Sequence, residues 1–285
     1  MKLIICILAA LIAVGININA AQAQTSLTGT IGFNGGNSSG IFALKLSDGS
    51  VRQLTPTGEA VSNPKISPDG CKVVFMVSLS GKGGGGIGID IMNLDPKNPQ
   101  RRRLISSGGG VPSWSPDNKT IAFGNDSIWV LDTTAAQPVP ARLVDHGAWP
   151  VFSPDGTRVA FSSQKPNRRD WDLWTMNADG SNAQLLLGFS GADIDVGGWS
   201  SNGLVFAHAA YDIYTYNPLT LELKRLTTAR ENDYEPGWSP NGSMIVFASF
   251  RTPEGLYVMN ADGTNQTWLH SGRQPSWGPT CGSTS

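Results

Sequence analysis

The sequence predicts an all-β fold: a six-bladed β-propeller of four-stranded antiparallel blades, its ring closed by the C-terminal strand completing the first blade. Three observations lead there. One short phrase recurs six times, a short apolar segment ending in Phe also occurs six times, and the two series are out of step at the chain ends.

The phrase reads Ile66-Ser67-Pro68-Asp69-Gly70, Trp114-Ser115-Pro116-Asp117-Asn118, Phe152-Ser153-Pro154-Asp155-Gly156, Trp199-Ser200-Ser201-Asn202-Gly203, Trp238-Ser239-Pro240-Asn241-Gly242 and a degraded Trp277-Gly278-Pro279-Thr280. Its bulky heads stand 48, 38, 47, 39 and 39 residues apart. A period of about 40 residues is what four short strands need. The stretch ahead of each head is the first strand of a unit, strand a. Strand b is the apolar segment: Val73-Val74-Phe75, Ile121-Ala122-Phe123, Val159-Ala160-Phe161, Leu204-Val205-Phe206, Ile245-Val246-Phe247 and, near the start, Thr30-Ile31-Gly32-Phe33. Strand c runs over Ile41 to Leu46, Ile89 to Asn93, Ile128 to Asp132, Leu173 to Asn177, Ile213 to Asn217 and Leu256 to Asn260. Asn-Ala-Asp-Gly follows two of these strands, and its Asp-Gly favours a type I′ hairpin turn. Strand d is short and polar, as in Arg102 to Ile105 and Leu223 to Thr227, which suits an exposed outer edge.

The Thr30 segment has no phrase before it, and Pro275-Ser276-Trp277 has no b, c or d strand after it. Joining the two completes one blade and removes two open edges. Cys71 and Cys281 both follow an a-to-b turn, and closure puts those turns in adjacent blades on one face, so the two form a possible disulfide.

Residues 1–23 read as a signal peptide: Lys2, an apolar run from Leu3, and the small-x-small pattern Ala21-Gln22-Ala23. Cleavage after Ala23 leaves a single propeller domain over 24–285, periplasmic or secreted, with no membrane insertion. A formal charge of −1 gives no electrostatic footprint for nucleic acid.

The consensus of Trp-Ser-Pro-Asp-Gly, the Phe strand, Asn-Ala-Asp-Gly and Arg-Leu-Thr resembles the TolB-type propeller repeat, related in shape to WD-repeat blades. The resemblance covers about residues 28 to 281 and implies the fold, with a function in protein contact. TolB proteins proper are periplasmic and carry an N-terminal α/β domain that contributes to that contact. Such a domain has no room between Ala23 and the first strand here.

Antiparallel parity puts the Ser-Pro-Asp-Gly and Asn-Ala-Asp-Gly turns on one face, and the longer d-to-a and b-to-c loops on the other. Binding residues concentrate on such variable loops. Residues just before each strand-a proline, or its equivalent, ring the channel mouth there: Asn63, Val111, Trp149, Val196, Glu235 and Gln274. Asp193, Asp195, Arg230, Asp233, Arg251 and Arg273 surround them. The set reads as a partner-binding surface of mixed charge with Trp149 as an exposed aromatic anchor.

His146, His208 and His270 reach the same face, but no HxxxH or HExxH spacing makes them a metal site. Gly188-Phe189-Ser190-Gly191-Ala192 lacks the last glycine and the strand-turn-helix context of a nucleophile elbow. Arg101 to Arg103 reads as a solvated edge, and the acidic residues preceding c strands, Asp90, Asp172 and Asp212, as ties to loop amides between blades. The expectation is therefore a non-catalytic, monomeric scaffold without cofactor, recognising a protein or peptide such as an envelope protein. A polysaccharide lyase or hydrolase on the same scaffold is the alternative.

Overall fold

The computed structural model describes residues 27–36, 40–79, 86–124, 126–164, 170–188, 193–208 and 211–282. The leader assigned to 1–23 and the near-elbow motif at 189–192 lie outside them. Every regular element among the described residues is a strand, and no helix there is long and apolar enough to cross a membrane.

Six four-stranded antiparallel sheets form the blades. Blade 1 contains β1 (Thr30–Asn34), β2 (Ile41–Lys45) and β3 (Val51–Gln53). Blade 2 is β4 (Val61–Ile66), β5 (Lys72–Leu79), β6 (Gly86–Asn93) and β7 (Arg101–Ile105). Blade 3 is β8 (Val111–Trp114), β9 (Thr120–Gly124), β10 (Ser127–Asp132) and β11 (Ala141–Asp145). Blade 4 is β12 (Ala148–Phe152), β13 (Arg158–Gln164), β14 (Trp171–Asn177) and β15 (Gln184–Leu187). Blade 5 is β16 (Ile194–Ser200), β17 (Gly203–His208), β18 (Asp212–Asn217) and β19 (Glu222–Arg225). Blade 6 is β20 (Asp233–Trp238), β21 (Met244–Ser249), β22 (Gly255–Asn260) and β23 (Thr267–His270). The last strand, β24 (Arg273–Gly278), returns to blade 1 and pairs with β1 through Thr30↔Gly278, Ile31↔Trp277 and Gly32↔Ser276. The ring closes as the two unmatched ends required.

The six strand-b phenylalanines, Phe33, Phe75, Phe123, Phe161, Phe206 and Phe247, are fully buried. Period-2 alternation explains their use. In β5, Val73, Phe75 and Val77 pack toward blade 1, while Val74 packs toward blade 3. In β21, Ile245 and Phe247 face blade 5, and Val246 and Ala248 face blade 1. Each blade thus buries both faces against its neighbours, so no blade is stable alone.

The phrase is a turn device. Ser67, Ser153 and Ser239 are buried, and their Oγ atoms accept the amides of Lys72, Arg158 and Met244 at 2.9–3.0 Å. The turn then needs a left-handed residue, supplied by Gly70, Gly156 and Gly242 and, in blade 3, by Asn118 at φ 59°. The Asn-Ala-Asp-Gly turns differ from the type I′ expectation. Gly180 N donates to Asn177 O and Asn177 N to Ser181 O, and of Asp179 and Gly180 only the glycine has positive φ. This is a type I turn followed by a glycine bulge, a three-residue loop.

One further reading is corrected and another is refined. Asp90 and Asp212 bind arginines of their own outer strands, not loop amides between blades: Arg101 Nε to Asp90 Oδ2 is 2.7 Å and Arg225 Nη2 to Asp212 Oδ2 is 2.6 Å. The Arg101–Arg103 run does lie on the outer edge strand with Arg102 and Arg103 exposed, but its side chains are also tied down. Arg101 also bridges to Glu59 (2.8 Å), Arg103 joins Asp90, and Arg102 donates to backbone carbonyls of Thr133 and Ala135 in blade 3. A buried carboxylate needs such partners.

Cys71 and Cys281 are joined in a disulfide, with Cα atoms 4.6 Å apart and a separation of 210 positions in sequence. The bond fastens the segment after β24 to the a-to-b turn of blade 2. Gly70 is part of this close approach, because a Cβ there would collide with the Pro279 carbonyl.

Candidate functional site

The mouth of the channel is built by a repeated irregularity. In the inner strands β4, β12, β16, β20 and β24 the pairing register slips just where the proline or its equivalent stands. Proline has no N–H for the ladder, so a bulge is its natural place in a strand. The residue before it takes a left-handed conformation in four blades: Asn63 (φ 50°), Trp149 (φ 48°), Glu235 (φ 54°) and Gln274 (φ 55°). Such a backbone costs roughly 1–3 kcal/mol at a non-glycine residue and persists only where its surroundings hold it.

Three of the four are linked in a chain that holds two of their backbones. Glu235 Oε2 accepts the Gln274 amide (2.8 Å), and Gln274 Oε1 accepts the Asn63 amide (2.9 Å). The side chain of each blade's mouth residue thereby orders the backbone of the next, across blades 6, 1 and 2. Burial pushes the Glu235 carboxyl above its ordinary range, partly offset by the Gln274 amide and by Lys65.

The other expected residues divide. Asp193 and Arg230 are exposed, and Asp195 is half-buried beside Glu235 and Asp193. Arg273 is exposed, pairs with Glu254 at 2.6 Å and lies over the Phe250 ring. Trp149 is half-buried rather than a free anchor, edge-on to Trp171 at 5.9 Å. Trp171 was missed in sequence because it follows a variable loop. Asp233 leaves the surface altogether and draws Arg251 partly with it: the aspartate is completely buried and ion-paired to Arg251, which is 17% exposed and stacks on Phe247 and Tyr257. Among the described residues no three His, Cys, Asp or Glu side chains converge as metal ligands. His146 is exposed between blades 3 and 4, while His270 lies in blade 6 against Phe33.

Asp195 carries a pH-dependent load. Desolvation first, then repulsion from Glu235 and Asp193, raise its pKa to about 6. An unfolded aspartate titrates near 3.9, so the folded state holds this proton more tightly. The folded form gains from it at low pH and loses the gain as pH rises from about 4 to 6. Asp195→Asn removes the ionisation penalty. Thermal unfolding should show the variant about 1–2 kcal/mol more stable at pH 7.5, after allowance for solvent screening, and no more stable than wild type at pH 4.

Below the mouth the channel has a waist. Its six positions, one per inner strand, are Lys65, Ser113, Val151, Gly198, Gly237 and Ser276, and all six wall a cavity of about 440 Å³. That cavity extends to the Ser-Pro turns, the face opposite the mouth. Lys65 was not singled out in sequence, since nothing local marks it. Burial pushes its ammonium pKa down, with Glu235 opposing.

A family model described as the TolB β-propeller domain matches residues 98–281, more than half of the chain. The chain belongs to that family. A TolB homolog of Chlorobium luteolum is 33% identical to this TolB-type propeller over 163 residues, 51% of this chain and 36% of the relative, so the match spans about a third of that relative's length. TolB from Acinetobacter baumannii superposes with a TM-score of 0.68 at 21% identity, covering 87% of this chain and 66% of that one. An oligogalacturonate lyase in complex with manganese gives 0.52 at 17% identity, covering 80% and 70%. At these identities the structural likenesses establish the propeller fold alone.

Proposed function

We propose that this chain is an exported, non-catalytic binding scaffold of the periplasm or cell exterior, acting as a monomer and recognising a protein or peptide through the channel mouth. The observation that carries the reading is the bulge ring: four non-glycine residues are held in left-handed conformations at one mouth, three of them linked side chain to backbone. Strain concentrated at one rim of a rigid ring preorganises a surface for contact. TolB-family membership supports a role in protein contact. Asp193, Asp195 and Glu235 give the mouth an acidic cluster alongside the exposed Arg230 and Arg273, and the Trp149–Trp171 pair offers an aromatic edge beside it. A partner segment with a basic residue next to an aromatic or aliphatic one meets both features.

The test is a pull-down from envelope extract with the 24–285 domain, compared with Trp149→Ala combined with Glu235→Ala. Recovery of the captured partner should fall by about tenfold or more, in line with losing one central aromatic contact and one charge. Equal recovery by both proteins overturns the reading. The fold shared with the lyase supports the second reading, a polysaccharide lyase or hydrolase. Incubation with oligogalacturonate and manganese separates the two, and no unsaturated product is expected.

A further inference from the structure

We propose that the cavity beneath the waist is a second binding site, for a ligand carrying a carboxylate on an apolar body, with Lys65 as counter-charge and Ser113 and Ser276 as hydroxyl donors.

The waist is divided. Ser276, Lys65 and Ser113 stand at the same position of three neighbouring inner strands, β24, β4 and β8. The facing arc from β12, β16 and β20 holds Val151, Gly198 and Gly237. One half of the ring therefore offers donors and a positive charge, and the other half offers an apolar wall with two missing side chains.

Lys65 is the one charged residue among those that wall the cavity. No ion pair or hydrogen bond of its ammonium is present among the described residues. Glu235 sits above the waist with one carboxylate oxygen on the Gln274 amide. Lys65 is half-buried with only the charge of Glu235 near it, and an anion arriving in the cavity offsets the cost of an ammonium partly withdrawn from water. The serines add donors. Ser276 Oγ accepts the Ile66 amide at 3.0 Å, which leaves its own hydrogen free to donate.

Gly237 points the same way. A Cβ at Gly237 would touch only Val246 at 3.7 Å and the Pro275 carbonyl at 3.8 Å, both ordinary contacts, and its φ is not left-handed. The fold does not require glycine there. What glycine does there is keep the cavity open across from Ser113, while Gly198 stands across from Lys65. Trp114, Trp199, Trp238 and Trp277 wall the space below, apolar surface with indole edges suited to a hydrophobic body.

Two sources supply this chemistry: the C-terminal residue of a polypeptide, and a free small acid. The test titrates the 24–285 domain by calorimetry with three probes: the tripeptide Gly-Gly-Phe with a free carboxylate, the same tripeptide amidated, and 3-phenylpropionate. The free tripeptide, phenylpropionate or both should bind, with the amide weaker by about tenfold or more, the size of one charge-assisted contact. Lys65→Met should lose the same factor while unfolding no earlier than wild type, because it removes a half-buried charge with no ion pair or hydrogen bond among the described residues. Lys65→Arg should keep part of the affinity. Gly237→Val, which leaves the charge and fills the cavity, should weaken the probe that binds. Binding of the tripeptide alone assigns a chain terminus, and binding of phenylpropionate alone assigns a small acid. Equal binding of acid and amide, no binding of either acid, or unchanged binding by Lys65→Met overturns the proposal.

Discussion

Removing residues after His270 should abolish the cooperative unfolding transition of the 24–285 chain or lower its midpoint by about 10–20 °C. The truncation deletes β24, the inner strand of blade 1, together with buried Trp277 and its indole bond to the Thr28 carbonyl at 2.9 Å. Truncating one buried Trp costs roughly 3–5 kcal/mol. The Cys71–Cys281 bond goes too, and closing a loop of 210 residues is worth about 5 kcal/mol in the chain-entropy model. At about 2–4 °C per kcal/mol for a chain of this class, either loss alone moves the midpoint by more than 6 °C or so. The truncation also leaves β1 with an open edge. Thermal melts followed by circular dichroism decide it. A truncated chain that melts with the full 24–285 chain refutes the closure. Reduction of the intact chain is the milder companion experiment, and it should lower the midpoint while leaving the transition cooperative.

Arg251→Met should destabilise the domain by about 3–5 kcal/mol, among the largest effects expected from one substitution away from the apolar core. Asp233 is completely buried, and its ion pair is with Arg251, which also donates to Gln266 Oε1 at 2.6 Å. Removing the guanidinium strands a carboxylate in the protein interior. Asp233→Asn combined with Arg251→Met should recover much of the loss, because the pair's desolvation cost then disappears along with its attraction. Chemical denaturation of the wild type and the two variants measures both quantities. A single variant within about 1 kcal/mol of wild type contradicts the buried-pair account and returns Arg251 to the surface set.

The mouth was legible only in part. Its six positions followed from the phrase and from parity, and five of them carry a bulge at the proline or its equivalent, while β8 pairs through Pro112 without one. Side chains around them were harder to place. Asp233 and Asp195 are two charged residues at similar distances from an inner-strand proline or its equivalent, yet one is paired inside its blade and the other lines the mouth. What separates them is the partner: Arg251, 18 residues on, turns back to Asp233. Trp149 read as exposed because Trp171 arrives from across its own blade.

By itself the sequence determined the blade number, the strand order, the six buried phenylalanines and the closure of the ring. Those rest on local facts: a repeat of about 40 residues, alternation with period 2, and the parity of antiparallel strands. The tertiary structure alone decided the left-handed bulges, the 4.6 Å approach of Cys71 to Cys281, and the split waist with Lys65 facing Gly198. Each depends on distances across or between blades. A bulge breaks the alternation that tells which side chain points inward, and residues some 40 positions or more apart meet only once six blades converge on one axis.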